Sequence, residues 1–202
     1  MSGEERIAGI VLAAGASRRL GDGRNKLLLR AGGEPLVRRA ARAALEAGLA
    51  PVVVVVGHEA PSVREALGGA GCDVIEFPGF EAGMGSSLAA GVRALPGGLA
   101  GVVVSLGDMP RAGADGVRAV LVARRATGAA AVGTRYGDVV APPTFFEAAL
   151  FPRLAALSGD AGPRALLAGP GLRVAWVSRP AGEAVDVDRP EDLGPAGVEV
   201  EA

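Results

Sequence analysis

The sequence predicts an α/β protein built on a doubly wound, mostly parallel sheet, and three observations carry that prediction. Short apolar runs alternate with segments whose apolar residues repeat at helical spacing, joined by short connections. Residues 52–56 are five consecutive valines, which marks a strand covered on both faces, as in a parallel sheet. A first apolar run, residues 7–12, opens into small residues and then turns sharply basic. A strand that runs into a glycine-containing cationic loop can cradle polyphosphate, because small residues let backbone N–H groups approach and cations neutralise the charge.

Each element follows in order. Residues 7–12 form the first strand, and 13–34 a long functional loop. Pro35 opens a helix reaching about Ala47. Its apolar face is Leu36, Val37, Ala40, Ala41, Ala44 and Leu45, its outer face Arg38, Arg39, Arg42 and Glu46, and Gly48 stops it. The valine strand is followed by a helix over 61–67 and a third strand over 74–77. The Gly83-Met84-Gly85-Ser86-Ser87 turn leads into a helix with Leu88, Val92 and Leu95 on one side. A fourth strand, 102–106, ends at Gly107-Asp108-Met109-Pro110. A helix over 114–126 and a fifth strand over 130–134 continue the alternation. From Tyr136 to Gly171 the rhythm changes. Phe145, Phe146, Ala149 and Leu150 suggest a helix that Pro152 interrupts, and a short helix covers 163–167. A strand over 172–177 follows, then a closing helix that starts at Pro190, with Glu191 and Asp192 favourable in its first turn. The tail, 194–202, is expected to fray. No linker, repeat or low-complexity block divides the chain, so residues 1–202 are read as one domain.

Composition narrows the function. With 202 residues and half of them apolar, the chain can bury a substantial core, filled largely by alanine and valine because aromatic residues are scarce. A net charge of -1 and the lack of interleaved aromatics argue against nucleic acid as a partner. No run approaches a membrane span, and Glu4, Glu5 and Arg6 precede too short an apolar run for a signal peptide. The single cysteine, Cys72, cannot form an internal disulfide, which together with the missing signal points to the cytoplasm. His58 is the only histidine. That excludes His-pair acid–base schemes and H-E-x-x-H zinc sites, and His58 itself reads as a loop residue at a strand end.

Three groups of residues stand where an open parallel sheet binds ligands, beyond the carboxyl ends of its strands. The first is the basic loop, in which Arg18, Arg19, Arg24, Lys26 and Arg30 face Asp22 alone. It is neither a P-loop, since Gly21 is followed by Asp22, nor a G-x-G-x-x-G fingerprint, since Gly15 and Gly21 lack a middle glycine. The second is Asp108, either a turn-forming aspartate before a proline or a carboxylate that holds a divalent cation against bound phosphates. The third is Asp186 and Asp188, which alternate and so share one face of an extended strand end. Asp188 also fits the N-cap of the helix at Pro190. Ser86 and Ser87 either cap the helix they begin or aim hydroxyls at a base, ribose or phosphate.

Taken together these motifs resemble one family. They are Leu12-Ala13-Ala14-Gly15 with Arg19-Leu20-Gly21 and Lys26, then Gly83-Met84 with Ser86-Ser87-Leu88 and Gly91, then Asp108-Met109-Pro110. Gly159-Asp160 with Gly162 and Leu166-Leu167 follows, and Asp186, Asp188 and Pro190-Glu191-Asp192-Leu193 close the set. In this order they are similar to the nucleotidyltransferase family that includes molybdenum cofactor cytidylyltransferase and its guanylyltransferase relative, the MobA-like enzymes. The resemblance implies a Rossmann-like, three-layer α/β/α fold. It implies a Mg²⁺-dependent reaction in which an acceptor phosphate attacks the α-phosphate of a nucleoside triphosphate and pyrophosphate leaves. Arg19 and Lys26 would then offset the triphosphate charge, with Arg19, Lys26 and Asp108 as the catalytic set. Leu12, Ala13, Ala14, Gly15, Ser86 and Ser87 would hold nucleotide, and Asp108 and Asp188 would anchor Mg²⁺. Ala14 and Ser86-Ser87-Leu88 match the side of the family that uses CTP rather than GTP. The implied acceptor is a phosphorylated pterin, molybdopterin, with a molybdoenzyme or its chaperone as a further partner. The family's acceptor-side Gly-His-Pro segment stands here as Ala141-Pro142-Pro143, and the alternative reading is a guanylyltransferase or another NTP transferase acting on a different phosphorylated small molecule.

Overall fold

A computed structural model describes residues 5–199 apart from 22 and 170. Its centre is a seven-stranded sheet in the order β5-β4-β1-β6-β8-β7-β9. The strands are β1 (Ile7–Ala13), β4 (Val52–Val56), β5 (Asp73–Glu76), β6 (Gly101–Leu106), β7 (Ala131–Tyr136), β8 (Val139–Glu147) and β9 (Val174–Arg179). All pair in parallel except β8, which runs antiparallel to both β6 and β7. A separate two-stranded hairpin, β2 (Arg30–Ala31) and β3 (Glu34–Pro35), lies within the long loop after β1.

The helices are α1 (Leu36–Glu46), α2 (Ala60–Ala66), α3 (Met84–Arg93), α4 (Ala114–Thr127), α5 (Phe151–Ala155), α6 (Pro163–Leu167) and α7 (Leu193–Ala196). The strand alternation sorts them into layers. In β1, Ile7, Val11 and Ala13 face α1, α2 and α4, while Ala8, Ile10 and Leu12 face α3, α5 and α6. The five valines of β4 are all buried, with β1 on one side and β5 on the other, as their unbroken apolar run requires. The result is the expected mostly parallel, Rossmann-like, three-layer α/β sheet. Among the described residues no helix is long and apolar enough to cross a membrane.

Three expectations are corrected. Phe145 and Phe146 lie in β8, not in a helix, and send one ring to each face of the sheet, both fully buried. Pro152 does not interrupt a helix; it lies in the first turn of α5. The tail is docked as far as Glu199, where residues 200–202 pass outside the described residues. Leu193, Ala196 and Val198 pack with Leu20, Ala31, Leu36 and Val187 in a small separate core, and the Glu199 N–H donates to the Arg30 carbonyl at 2.8 Å. The end of the chain therefore braces the basic loop that follows β1.

Candidate active site

The strand order reverses at β1, which has β4 on one side and β6 on the other. A crevice opens beyond the strand ends at such a point, and a cavity of about 600 Å³ lies there. Its floor is Leu12, Ala13, Ala14 and Gly15, of which the first three are buried and Gly15 is exposed. A side chain at Gly15 would meet nothing within 4 Å, so its absence leaves the cavity clear.

The loop after β1 turns back through Ser17, whose φ of 51° is unusual for a residue with a side chain. Ser17 Oγ accepts the Lys26 N–H at 3.1 Å and so fixes the lysine's backbone from across the loop. Lys26 opens a single 3-10 turn, with Asn25 accepting the Leu27 N–H at 3.0 Å. Leu27 is buried in the core, and the neighbouring Lys26 side chain is sent into the cavity. From the other side, Gly107 passes under the end of β1. A Cβ there would lie 2.9 Å from Leu27 and 3.3 Å from the Leu12 carbonyl, so only glycine lets β6 deliver Asp108 to this place.

Lys26 Nζ then meets two carboxylates, Asp108 at 2.5 Å and Asp188 at 2.6 Å. Arg19 reaches the second oxygen of Asp188 at 2.5 Å. Burial opposes the charge on Lys26, but Asp108 and Asp188 outweigh it and hold its pKa above the ordinary lysine value. The four charges balance, two cationic and two anionic. Asp188 does not cap the following helix. The cap position is Arg189, and Asp192, third in the turn, reaches back to it: its Oδ2 accepts the N–H groups of Asp188 at 3.0 Å and Arg189 at 2.7 Å, which leaves the Asp188 carboxylate free to face Lys26. The segment around Asp186 is a loop and not a strand end, and Asp186 is exposed with no ion pair among the described residues.

The structure thus brings Leu12, Ala13, Ala14, Gly15, Arg19, Lys26, Ser87, Asp108 and Asp188 to one cavity. It leaves Ser86 out. Neither serine caps α3: Ser86 Oγ donates to the Ala82 carbonyl at 3.2 Å and Ser87 Oγ to that of Gly83 at 3.5 Å, while Gly83 is the cap residue. His58 lies outside the cavity lining, its N–H on the Ala14 carbonyl at 3.2 Å. Asp22 falls outside the described residues.

Sequence reasoning did not single out Ser17, Phe80, Glu81 and Asp160 as site residues, and all four line the cavity, together with Arg18 of the basic loop. Arg18 and Glu81 pair across it at 2.9 Å. Asp160 carried a signal in the Gly-Asp-x-Gly segment. The loop that bears it is held against the start of α3 with almost no clearance. Gly83 has a φ of 99°, and a Cβ on it would lie 2.4 Å from Gly159 and 2.6 Å from Asp160. Gly85 donates its N–H to the Gly159 carbonyl at 2.8 Å.

A sheet of this topology, with cations and carboxylates converging beyond its central strand, is the frame of a nucleotide-handling enzyme. Residues 9–176 match the MobA-like NTP transferase domain, and the chain belongs to that family. Among curated proteins it is similar to the bifunctional protein GlmU of Pelobacter propionicus, 37% identical over 126 residues, which are 62% of this chain and 27% of that protein. It is 39% identical over 145 residues to the bifunctional protein GlmU of Anaeromyxobacter dehalogenans, covering 66% of this chain and 30% of the relative. The chain therefore spans less than a third of these relatives. Among solved structures, Rv0371c of Mycobacterium tuberculosis superposes with a TM-score of 0.84 at 28% identity over 96% of this chain and 99% of the other. Rv0371c in complex with manganese gives a TM-score of 0.79 at 27% identity over 95% and 97% of the two chains.

Proposed function

We propose that the protein transfers CMP from CTP to the phosphate of a molybdopterin-type acceptor and releases pyrophosphate. The observation that carries this reading is the Lys26, Asp108 and Asp188 cluster at the wall of a cavity whose floor is Leu12 to Gly15. An acceptor phosphate oxygen attacks the α-phosphorus, the bond to the bridging oxygen of the β-phosphate breaks, and pyrophosphate leaves with that electron pair. The acceptor phosphate is already ionised, so no protein base is required. Catalysis of this kind rests on positioning and on charge stabilisation.

In this reading the backbone of Ala13 to Gly15 holds the nucleotide against the strand ends. Arg19 and Lys26 neutralise the triphosphate and the departing pyrophosphate. Asp108 and Asp188 suit a divalent cation, because both reach one ammonium nitrogen and can equally share one ion. Among the described residues no group of three or more His, Cys, Asp and Glu forms a full ligand cage. Two carboxylates, with phosphates and water completing the shell, is the arrangement Mg²⁺ favours. Held by Asp108 and Asp188, such an ion would supply positive charge to offset the charge that develops on the phosphates. Ala14, buried in the floor, supports CTP over GTP through the family resemblance.

One observation favours a second reading, another phosphorylated small molecule as acceptor. The Ala141-Pro142-Pro143-Thr144 segment lies within β8, and none of its residues lines the cavity. Its carbonyls are engaged within the sheet: Pro143 accepts from Thr134 Oγ1 at 2.6 Å and Pro142 from the Tyr136 hydroxyl at 2.9 Å.

The test is pyrophosphate release with each of the four nucleoside triphosphates, with and without molybdopterin and with and without Mg²⁺. CTP with molybdopterin and Mg²⁺ is expected to turn over, and Asp108→Ala to abolish it. Preference for GTP would overturn the reading of Ala14, and turnover only with another phosphorylated acceptor would install the second reading.

A further inference from the structure

We propose that Lys26 holds the place of the divalent cation in the nucleotide-free protein, so that metal and triphosphate bind as a coupled pair and each is weak without the other. The proposal rests on the reading of Asp108 and Asp188 as the metal-anchoring pair and adds how that site is filled.

Three observations carry it. First, one ammonium nitrogen stands 2.5 Å from Asp108 and 2.6 Å from Asp188, in the space an ion shared by both carboxylates would occupy. Carboxylate–Mg²⁺ distances are about 2.0–2.1 Å, so the two cations exclude each other sterically as well as by like charge. Second, the cluster is internally neutral, with Arg19 completing the balance on Asp188. A bare divalent ion entering it must expel a cation that is only 12% exposed and doubly paired. A triphosphate entering alone finds both of its cationic partners committed to carboxylates. Third, the lysine is tethered for exchange and not for release. Ser17 Oγ fixes its backbone N–H at 3.1 Å, while the flexible four-carbon stem leaves Nζ free to swing within the cavity.

When the triphosphate and the ion arrive together, the phosphates take Lys26 and Arg19 and the carboxylates take the ion. Lys26 and Arg19 thus keep anionic partners in both states. Linkage requires the effect to be mutual: whatever nucleotide does for metal affinity, metal does for nucleotide affinity.

The experiment uses Mn²⁺ as the probe, with free Mn²⁺ followed by electron paramagnetic resonance, on nucleotide-free protein. Wild type, Lys26→Gln, Lys26→Met and Asp108→Asn are compared after circular dichroism has confirmed that each is folded. The second lysine variant keeps the test open if the first fails to fold. Removing the lysine charge is expected to tighten Mn²⁺ binding about tenfold or more, within the range typical of site-to-site coupling. A larger rise in melting temperature on adding Mn²⁺ should accompany it in the Lys26 variants. Equal Mn²⁺ affinity in wild type and both Lys26 variants, with loss in Asp108→Asn, would overturn the exchange and leave the metal reading standing. No Mn²⁺ binding in any of the proteins would overturn both.

Discussion

Replacing Gly85 by alanine sets two physical effects against each other with opposite signs. Gly85 lies in the first turn of α3, and alanine is preferred over glycine in a helix by about 1 kcal/mol, so propensity alone predicts stabilisation. The structure predicts the reverse. A Cβ on Gly85 would stand 2.7 Å from the Ala161 carbonyl oxygen, 2.9 Å from that of Ser158 and 3.1 Å from that of Gly159. All three neighbours are backbone atoms, which cannot rotate away as a side chain can. Overpacking of this kind costs about 1–3 kcal/mol. Moving the loop aside also weakens the 2.8 Å hydrogen bond from Gly85 N–H to Gly159, worth about 1 kcal/mol. The balance is a loss of about 2 kcal/mol, or a fall of roughly 4–8 °C in melting temperature for a chain of this size. Thermal and urea unfolding measure it, with Gly97→Ala as the control, since a Cβ there meets nothing within 4 Å. Because the displaced loop carries Asp160 into the cavity wall, the KM for nucleotide should rise as well. A Gly85→Ala protein as stable as wild type, or more so, would refute the reasoning and show that the 158–162 loop yields freely.

Two further outcomes are expected. Asp192→Ala removes the acceptor that orders the Asp188 backbone, so turnover in the pyrophosphate assay should drop at least tenfold, as is common when preorganised charge is misplaced; Asp192→Asn keeps an acceptor oxygen and should recover much of it, and wild-type turnover in the alanine variant would remove Asp192 from the account. Tyr136, the only tyrosine of the chain, has its pKa pushed up to about 12 by burial. An unfolded tyrosine loses its proton near about pH 10, so the unfolded chain ionises first and stability should fall as pH rises from there toward the folded value. The ultraviolet absorbance of tyrosinate reports this directly, and titration at the ordinary tyrosine pH with the fold intact would contradict the burial.

Much of this architecture was legible in the sequence because its strands are buried on both faces and therefore read as plain apolar runs. The valines of β4 needed no context. β8 was not legible, for two reasons. Phe145, Phe146, Ala149 and Leu150 fall at helical spacing, and prolines at 142 and 143 argue against an interior strand. The structure resolves the conflict through a register shift. Thr134 pairs with Ala141 and Val132 with Phe145, so the prolines lie where β8 bulges away from β7, and the ladder to β6 starts only at Thr144. Their missing N–H groups fall in the gap in the ladder. At the site, Arg19, Lys26, Asp108 and Asp188 announced themselves by type and position. Ser17, Phe80 and Glu81 did not, because a serine at positive φ or an aromatic in a short turn carries no pattern until the chain is folded. The partner of Asp188 was legible in the wrong form. An aspartate before Pro190 suggests a cap, whereas the cap position is Arg189 and Asp192 reaches back to its N–H from the third position of the turn.

The small core formed by Leu20, Ala31, Leu36, Val187, Leu193, Ala196 and Val198 sets an order of assembly. Lys26 and Asp188 meet across 162 positions of sequence, and that core is what ties their two segments together. As the chain emerges during synthesis, β1, β4 and β6 can pair well before the segment around 187–198 exists. An early sheet would then carry a loose cationic loop facing an incomplete set of carboxylates. The charge cluster closes only when this late segment docks, so the protein becomes competent last at the place where its chemistry resides.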